Sequence, residues 1–123
     1  MSAHGKVLLV EDEVLVAALA VDGLEELGYQ TIEVTTAKAA RAIAAGAELL
    51  AFAVVDIGLP DGRGDALALE LRQTRPHLPI VIATGYDGSH LDEALRKQPR
   101  TAVLNKPYDL RQLQAAIQAI VKA

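Results

Sequence analysis

The chain has no cysteine and no tryptophan, and one Phe and three Tyr are its only aromatics in 123 residues. Without thiols there is no disulfide framework, no thiolate nucleophile and no Cys-ligated metal, and the usage agrees with a reducing compartment. No apolar run approaches the roughly 20 residues of a membrane span, and the apolar part of MSAHGKVLLVEDE is too short for a signal peptide. The expectation is a soluble, cytoplasmic protein with no membrane partner. Positive charge is also scarce: 12 basic residues stand against 16 acidic ones, for a net charge of −4, with no Lys/Arg cluster. That balance argues against nucleic-acid binding.

What is present is aliphatic. The hydrophobic fraction is 51%, carried mainly by Ala, Leu, Val and Ile, which suits helices laid on a buried sheet. The length predicts one domain over residues 1–123, able to bury about 65% of its unfolded surface without staples.

Short β-branched runs alternate with longer helical stretches. KVLLV (Lys6 to Val10), QTIEV (Gln30 to Val34), AFAVVDI (Ala51 to Ile57), PIVIAT (Pro79 to Thr84) and TAVLN (Thr101 to Asn105) read as strands. Between them, Val14 to Leu27 has a helical period and stops at Gly28. Thr36 can cap AKAARAIAA, and a third helix runs from about Asp65 to Arg75. LDEALRKQ is a short fourth helix after the GYDGSH loop. Asp109 with Gln112 makes a capping-box start to a fifth, whose Leu110, Leu113, Ile117 and Ile120 share a face.

Five strands alternating with five helices give repeated βαβ units. The fold class is therefore α/β, a doubly wound five-stranded parallel sheet covered on both faces. In open sheets of this kind the working crevice lies beyond the carboxyl ends of the strands. Those positions hold Glu11, Asp12 and Glu13 after the first strand, Asp56 at the end of the third, Thr84 after the fourth and Lys106 after the fifth.

Three carboxylates converging on one crevice repel one another, so either one takes up a proton or a cation neutralises the group. With few ligands, all oxygen, the fitting cation is Mg²⁺. Lys106 suits Asp56 or a phosphoryl oxygen, and Thr84 can donate to the same oxygen. An aspartate held beside Mg²⁺ and Lys can act as a phosphoryl acceptor. On this reading Asp56 closes an apolar strand because it is presented to the crevice rather than buried.

The acidic pair of LLVEDE, the DIGLPDG loop, the ATG of the fourth strand and the Lys-Pro of LNKPY together resemble a response-regulator receiver domain of the CheY-like kind. The resemblance covers essentially the whole chain, with separations of 44, 28 and 22 residues from Asp12 to Asp56, Thr84 and Lys106 in turn. It implies a flavodoxin-like strand order of 2-1-3-4-5. It also implies that Asp56 is the phosphoacceptor, served by a histidine kinase or histidine phosphotransferase. Asp12, Asp56 and the backbone carbonyl of Gly58 would hold Mg²⁺, with Glu11 one layer out. Thr84 and Lys106 would grip the phosphoryl group, and the bond between Lys106 and Pro107 would be cis.

Two departures stand out. The aromatic residue that the family usually carries three positions before the lysine is Val103 here. The IATGYD run resembles the stand-alone FAT GUY subfamily, although Tyr86 directly follows Gly85. With the last helix reaching the end of the sequence, no output domain is expected, and signalling would run through protein contacts.

Plainer readings stand beside these. Glu13 reads as a solvated acid in a first helical turn, Tyr86 and Tyr108 as packing residues, and His4, His77 and His90 as surface histidines. A phosphatase of the haloacid-dehalogenase type would want a second acid where Gly58 stands, so the chain is not expected to be an enzyme. An unphosphorylated pseudo-receiver serving as a binding module is the alternative. Gly58 and Tyr86, at positions that influence attack by water in the family, point to slow dephosphorylation.

Overall fold

The computed structural model describes residues 5–85, 91 and 93–121. The readings made for His4, Tyr86 and His90 fall outside them, as does most of the GYDGSH loop. Along the chain the elements are β1 (Lys6–Val10), α1 (Val14–Glu26), β2 (Thr31–Val34), α2 (Ala37–Ala45), β3 (Leu50–Asp56), β4 (Gly58–Leu59), β5 (Gly62–Arg63), α3 (Gly64–Thr74), β6 (Ile80–Thr84), α4 (Glu93–Arg96), β7 (Thr101–Asn105) and α5 (Leu110–Val121). The main sheet has the order β2-β1-β3-β6-β7 and every pairing in it is parallel. With the two-residue strands β4 and β5 set aside, this is the expected 2-1-3-4-5. That small hairpin was not foreseen, because GLPDGRG reads only as turn chemistry.

The period-2 alternation of the strands divides the core in two. Leu8, Val10, Ala53, Val55, Ile80 and Ile82 point toward α2, α3 and α4, where Ala40, Leu67, Leu71 and Leu95 meet them. Val7, Leu9, Phe52, Val54 and Val81 point toward α1 and α5, against Leu24, Leu113, Ile117 and Ile120. Phe52 is fully buried and meets Tyr29 edge to face at 5.0 Å.

Helix ends follow their sequence signals. Gly28 takes a φ of 95° and its N–H donates to the Glu25 carbonyl, closing α1. Thr36 caps α2 by accepting the Ala39 N–H at 3.1 Å. Asp109 and Gln112 exchange hydrogen bonds of 2.8 and 2.9 Å at the start of α5. Two expectations need correction. Leu110 is 37% exposed rather than part of the buried stripe, and Ala116 takes a buried place instead. The fourth helix is a single turn rather than eight residues. No described helix is long and apolar enough to cross a membrane.

Candidate functional site

Each of β1, β3, β6 and β7 ends in, or is followed at once by, a residue that carries chemistry. Glu11 continues β1, is 4% exposed, and accepts the Glu13 backbone N–H through Oε2 at 3.1 Å. Asp12 beside it is exposed. Asp56 is the last residue of β3, in register with Ala83 of β6. Thr84 ends β6, buried to 2% exposure, and its carbonyl accepts the Lys106 backbone N–H at 2.8 Å. The peptide between Lys106 and Pro107 is cis.

Lys106 joins these ends together. Its Nζ lies 2.7 Å from Asp56 Oδ1, 3.1 Å from Glu11 Oε1 and 3.3 Å from Glu13 Oε1. Oxygens of Glu11, Asp12 and Asp56 all lie within 4.8 Å of one another. Such a set of hard oxygens around one point fits a divalent cation of the Mg²⁺ type, which would relieve their mutual repulsion while all stay ionised.

Burial governs the protonation balance. Desolvation pushes the Asp56 carboxyl above the ordinary carboxylate range, Lys106 opposes it, and Asp12 and Glu13 push further upward. Glu11 is raised for the same first reason, opposed by the Glu13 N–H and by Lys106, with Asp56 adding to the rise. Burial by itself disfavours the Lys106 ammonium, yet hydrogen bonds and charge from Asp56 and Glu11 overcome that and raise it above the ordinary lysine value. One ammonium shared among three carboxylates is thus firmly held charged, while neither buried acid gets enough of it to offset desolvation.

The sequence-predicted residues Glu11, Asp12, Asp56 and Lys106 are brought together, and Thr84 sits at the adjacent strand end. Gly58 lies at the start of the loop, where a Cβ would come 4.0 Å from Asp56 Oδ2. Two expectations change. Asp56 is not held out to solvent: it is 5% exposed, because Lys106 closes over it. Glu13 is not simply a solvated acid of the first turn. It is the N-cap residue of α1, in extended conformation and without a side-chain cap, and it reaches Lys106. The signal for this was its place two residues after Glu11, which directs it toward the same crevice.

Tyr108 packs partly buried beside α1 and α5, and burial with the Glu11 charge raises its hydroxyl. Val103 faces outward at 39% exposure, so no aromatic fills that position. His77 is exposed, as expected. Asp61, which had no role in the sequence reading, bonds across to α2. It was hidden because Pro-Asp-Gly is already explained as a turn.

Comparison with known proteins agrees with this geometry. The family profile described as "Response regulator receiver domain" matches residues 7–118. The chain is 34% identical over 119 residues to the photosynthetic apparatus regulatory protein RegA of Rhodobacter capsulatus, covering 97% of this chain and 64% of that protein's length. The fold superposes with a TM-score of 0.86 on a CheY-like receiver domain protein of Methanospirillum hungatei JF-1, at 25% identity over 98% of this chain and 95% of that one. It superposes with a TM-score of 0.82 on the receiver domain of the sensor histidine kinase PA1611 of Pseudomonas aeruginosa PAO1, at 24% identity, covering 98% and 100% of the two chains. The active-site cleft of that protein coordinates a magnesium ion. With a matching profile over nearly its whole length and an acid-and-lysine crevice at the carboxyl end of its sheet, the chain belongs to the response regulator receiver domain family.

Proposed function

We propose that this protein accepts a phosphoryl group on Asp56 from the phosphohistidine of a histidine kinase or histidine phosphotransferase, and signals by changed protein contacts. The observation that carries this reading is the placement of Asp56 Oδ1 2.7 Å from the Lys106 ammonium, beside a second and a third carboxylate. In the step, an Asp56 carboxylate oxygen attacks phosphorus, the P–N bond breaks, and the leaving imidazole keeps the electron pair and takes up a proton. Asp12, Asp56 and the Gly58 carbonyl would hold Mg²⁺, with Glu11 behind them. When bound, the ion would supply positive charge against the phosphoryl oxygens.

This chain's residues do the rest. Lys106 exchanges a carboxylate for a phosphoryl oxygen, and Thr84 donates its hydroxyl to another. The phosphoryl group puts nearly two negative charges and three acceptor oxygens where the carboxylate carried one, and these draw both groups toward it. That displacement at the ends of β6 and β7 is what shifts the balance between two states.

A protein phosphodonor has a surface to approach on. Val14, Leu15 and Leu19 of α1 are 81%, 79% and 72% exposed, beside the site's mouth. Val16, Leu19, Pro107 and Tyr108 line a groove of about 320 Å³ that is continuous with Glu13 and Lys106. The reading of a phosphoacceptor rather than a turnover enzyme is supported by Gly58, which carries no side chain to direct a leaving group or a water. Slow loss of the phosphoryl group follows from the same position. The narrower FAT GUY assignment is supported by the IATGYD run and by Val103 alone.

The test is phosphorylation by a small phosphodonor, read by intact mass. A gain of one phosphoryl group is expected with Mg²⁺ and not without it, and is expected to vanish in Asp56→Asn. Failure of wild-type protein to gain mass would instead support a pseudo-receiver that binds partners unphosphorylated.

A further inference from the structure

The loop between Asp56 and α3 is anchored at two places. Gly58 and Leu59 pair antiparallel with Arg63 and Gly62, leaving Pro60 and Asp61 as a two-residue tip. At the base, the Gly64 N–H donates to the Ile57 carbonyl at 2.8 Å. Gly64 also packs so closely on the Asp56 carbonyl oxygen that a Cβ would collide with it. Arg63 adds a fork onto Asp65, with two bonds of 3.1 Å.

The tip is held by a different element. Asp61 accepts the Ala37 N–H through Oδ1 at 2.8 Å and the Lys38 N–H through Oδ2 at 3.0 Å. These amides belong to the first turn of α2 and have no partner within the helix, and the helix dipole favours a carboxylate there. The same two hydrogen bonds hold the Asp61 carboxyl below its ordinary range, so it is ionised at neutral pH. Meanwhile α2 has its own cap, since Thr36 Oγ1 accepts the Ala39 N–H at 3.1 Å. The helix thus carries two caps, one local and one supplied from 24 residues away, and only the second reaches the phosphoacceptor loop.

A hairpin with two residues per strand does not hold its own shape. Its backbone, including that of Gly58, stays ordered because both ends are tied. Resting on the receiver reading above, we infer that Asp61 is a positioning residue for phosphoryl acceptance: by pinning the hairpin tip to α2 it fixes the Gly58 backbone on which the Mg²⁺ site relies. It acts through the loop and touches neither the ion nor the phosphoryl group.

The experiment measures Mg²⁺ affinity by titration calorimetry, phosphoryl uptake at limiting and saturating Mg²⁺ by intact mass, and thermal unfolding, in wild type, Asp61→Ala, Asp61→Asn and Thr36→Ala. Asp61→Ala is expected to weaken Mg²⁺ binding about tenfold, the usual scale for a residue that orients a metal ligand, and to slow uptake at limiting Mg²⁺ but not at saturation. Asp61→Asn keeps one acceptor oxygen and is expected to recover part of the affinity. Thr36→Ala removes the other cap of the same helix, so it is expected to lower thermal stability while leaving Mg²⁺ affinity within about twofold. Wild-type affinity in Asp61→Ala, or an equal loss in Thr36→Ala, would overturn the inference. Wild type that neither binds Mg²⁺ nor takes up a phosphoryl group would overturn the receiver reading, and the inference with it.

Discussion

Lys106 and Arg72 are both long cations sunk into the protein, at opposite ends of the same sheet, and they are satisfied in opposite ways. At the carboxyl end, Lys106 is surrounded by the carboxylates of Asp56, Glu11 and Glu13. At the amino end, Arg72 of α3 is 9% exposed and donates to uncharged acceptors. Its guanidinium donates to the Leu78 carbonyl at 3.0 Å, Gln98 Oε1 at 2.8 Å, Thr101 Oγ1 at 2.6 Å and the Arg100 carbonyl. Burial, and the neighbouring Arg100 charge, lower its pKa from the ordinary arginine value, yet arginine does not give up its proton in proteins. The Arg72 end is a satisfied knot tying α3 to the start of β7. The Lys106 end is an excess of negative charge around one ammonium, with capacity left for a cation and reason to rearrange when a phosphoryl group arrives.

The contrast can be broken first at the knot. Arg72→Ala removes the donors of several buried acceptors at once and is expected to cost about 3 kcal/mol in urea unfolding. Protein that stays folded is expected to take up a phosphoryl group as wild type does. A large loss of uptake in folded protein would show that the two ends are coupled.

Lys106→Met comes next, since it keeps the stem and removes the charge from between buried acids. A loss of about 2 kcal/mol is expected at pH 7, with phosphoryl uptake reduced at least about tenfold. The stability loss should shrink toward pH 5, because Asp56 and Glu11, already raised by burial, then take up protons. A loss independent of pH would mean that packing, not charge, is what Lys106 contributes.

The smallest expected change has the opposite sign. A carboxyl raised in the folded state binds its proton more tightly than in the unfolded chain, so its ionisation costs stability as pH rises through the folded value. Asp56→Asn removes that cost and is expected to stabilise the metal-free protein by about 1 kcal/mol at pH 7. The gain should fade as pH falls to the ordinary aspartate range, and Mg²⁺ should stabilise wild type more than the variant. A destabilised variant would show that Asp56 serves as a structural partner of Lys106, as the acceptors around Arg72 serve that residue.

Much of this was legible in the residues. The alternation of β-branched runs with helical stretches gave the βαβ count, and the strand ends gave Asp56, Thr84 and Lys106, because a parallel sheet must carry its chemistry at one edge. Capping residues such as Thr36 and Asp109 marked helix starts through local chemistry alone. The parts that were missed are of another kind. Leu110 fits the apolar period of α5 but lies near the end of the contact with the sheet, where periodicity cannot say how far burial extends. Asp61 finds its partners 23 and 24 residues away, and Arg72 finds all but Leu78 at 26 to 29 residues, where no local pattern points to them.

What the sequence by itself determined is the fold class, the edge on which the site lies and the identity of its acids and lysine, because these follow from periodicity and from which residues end each strand. The tertiary structure alone decided how the charges are shared: that Lys106 closes over Asp56 and buries it, that the exposed Glu13 reaches Lys106, and that a hairpin tip caps a neighbouring helix. Those outcomes depend on distances of a few ångströms between segments remote in sequence, and electrostatic and hydrogen-bond energies change sign or vanish over that range.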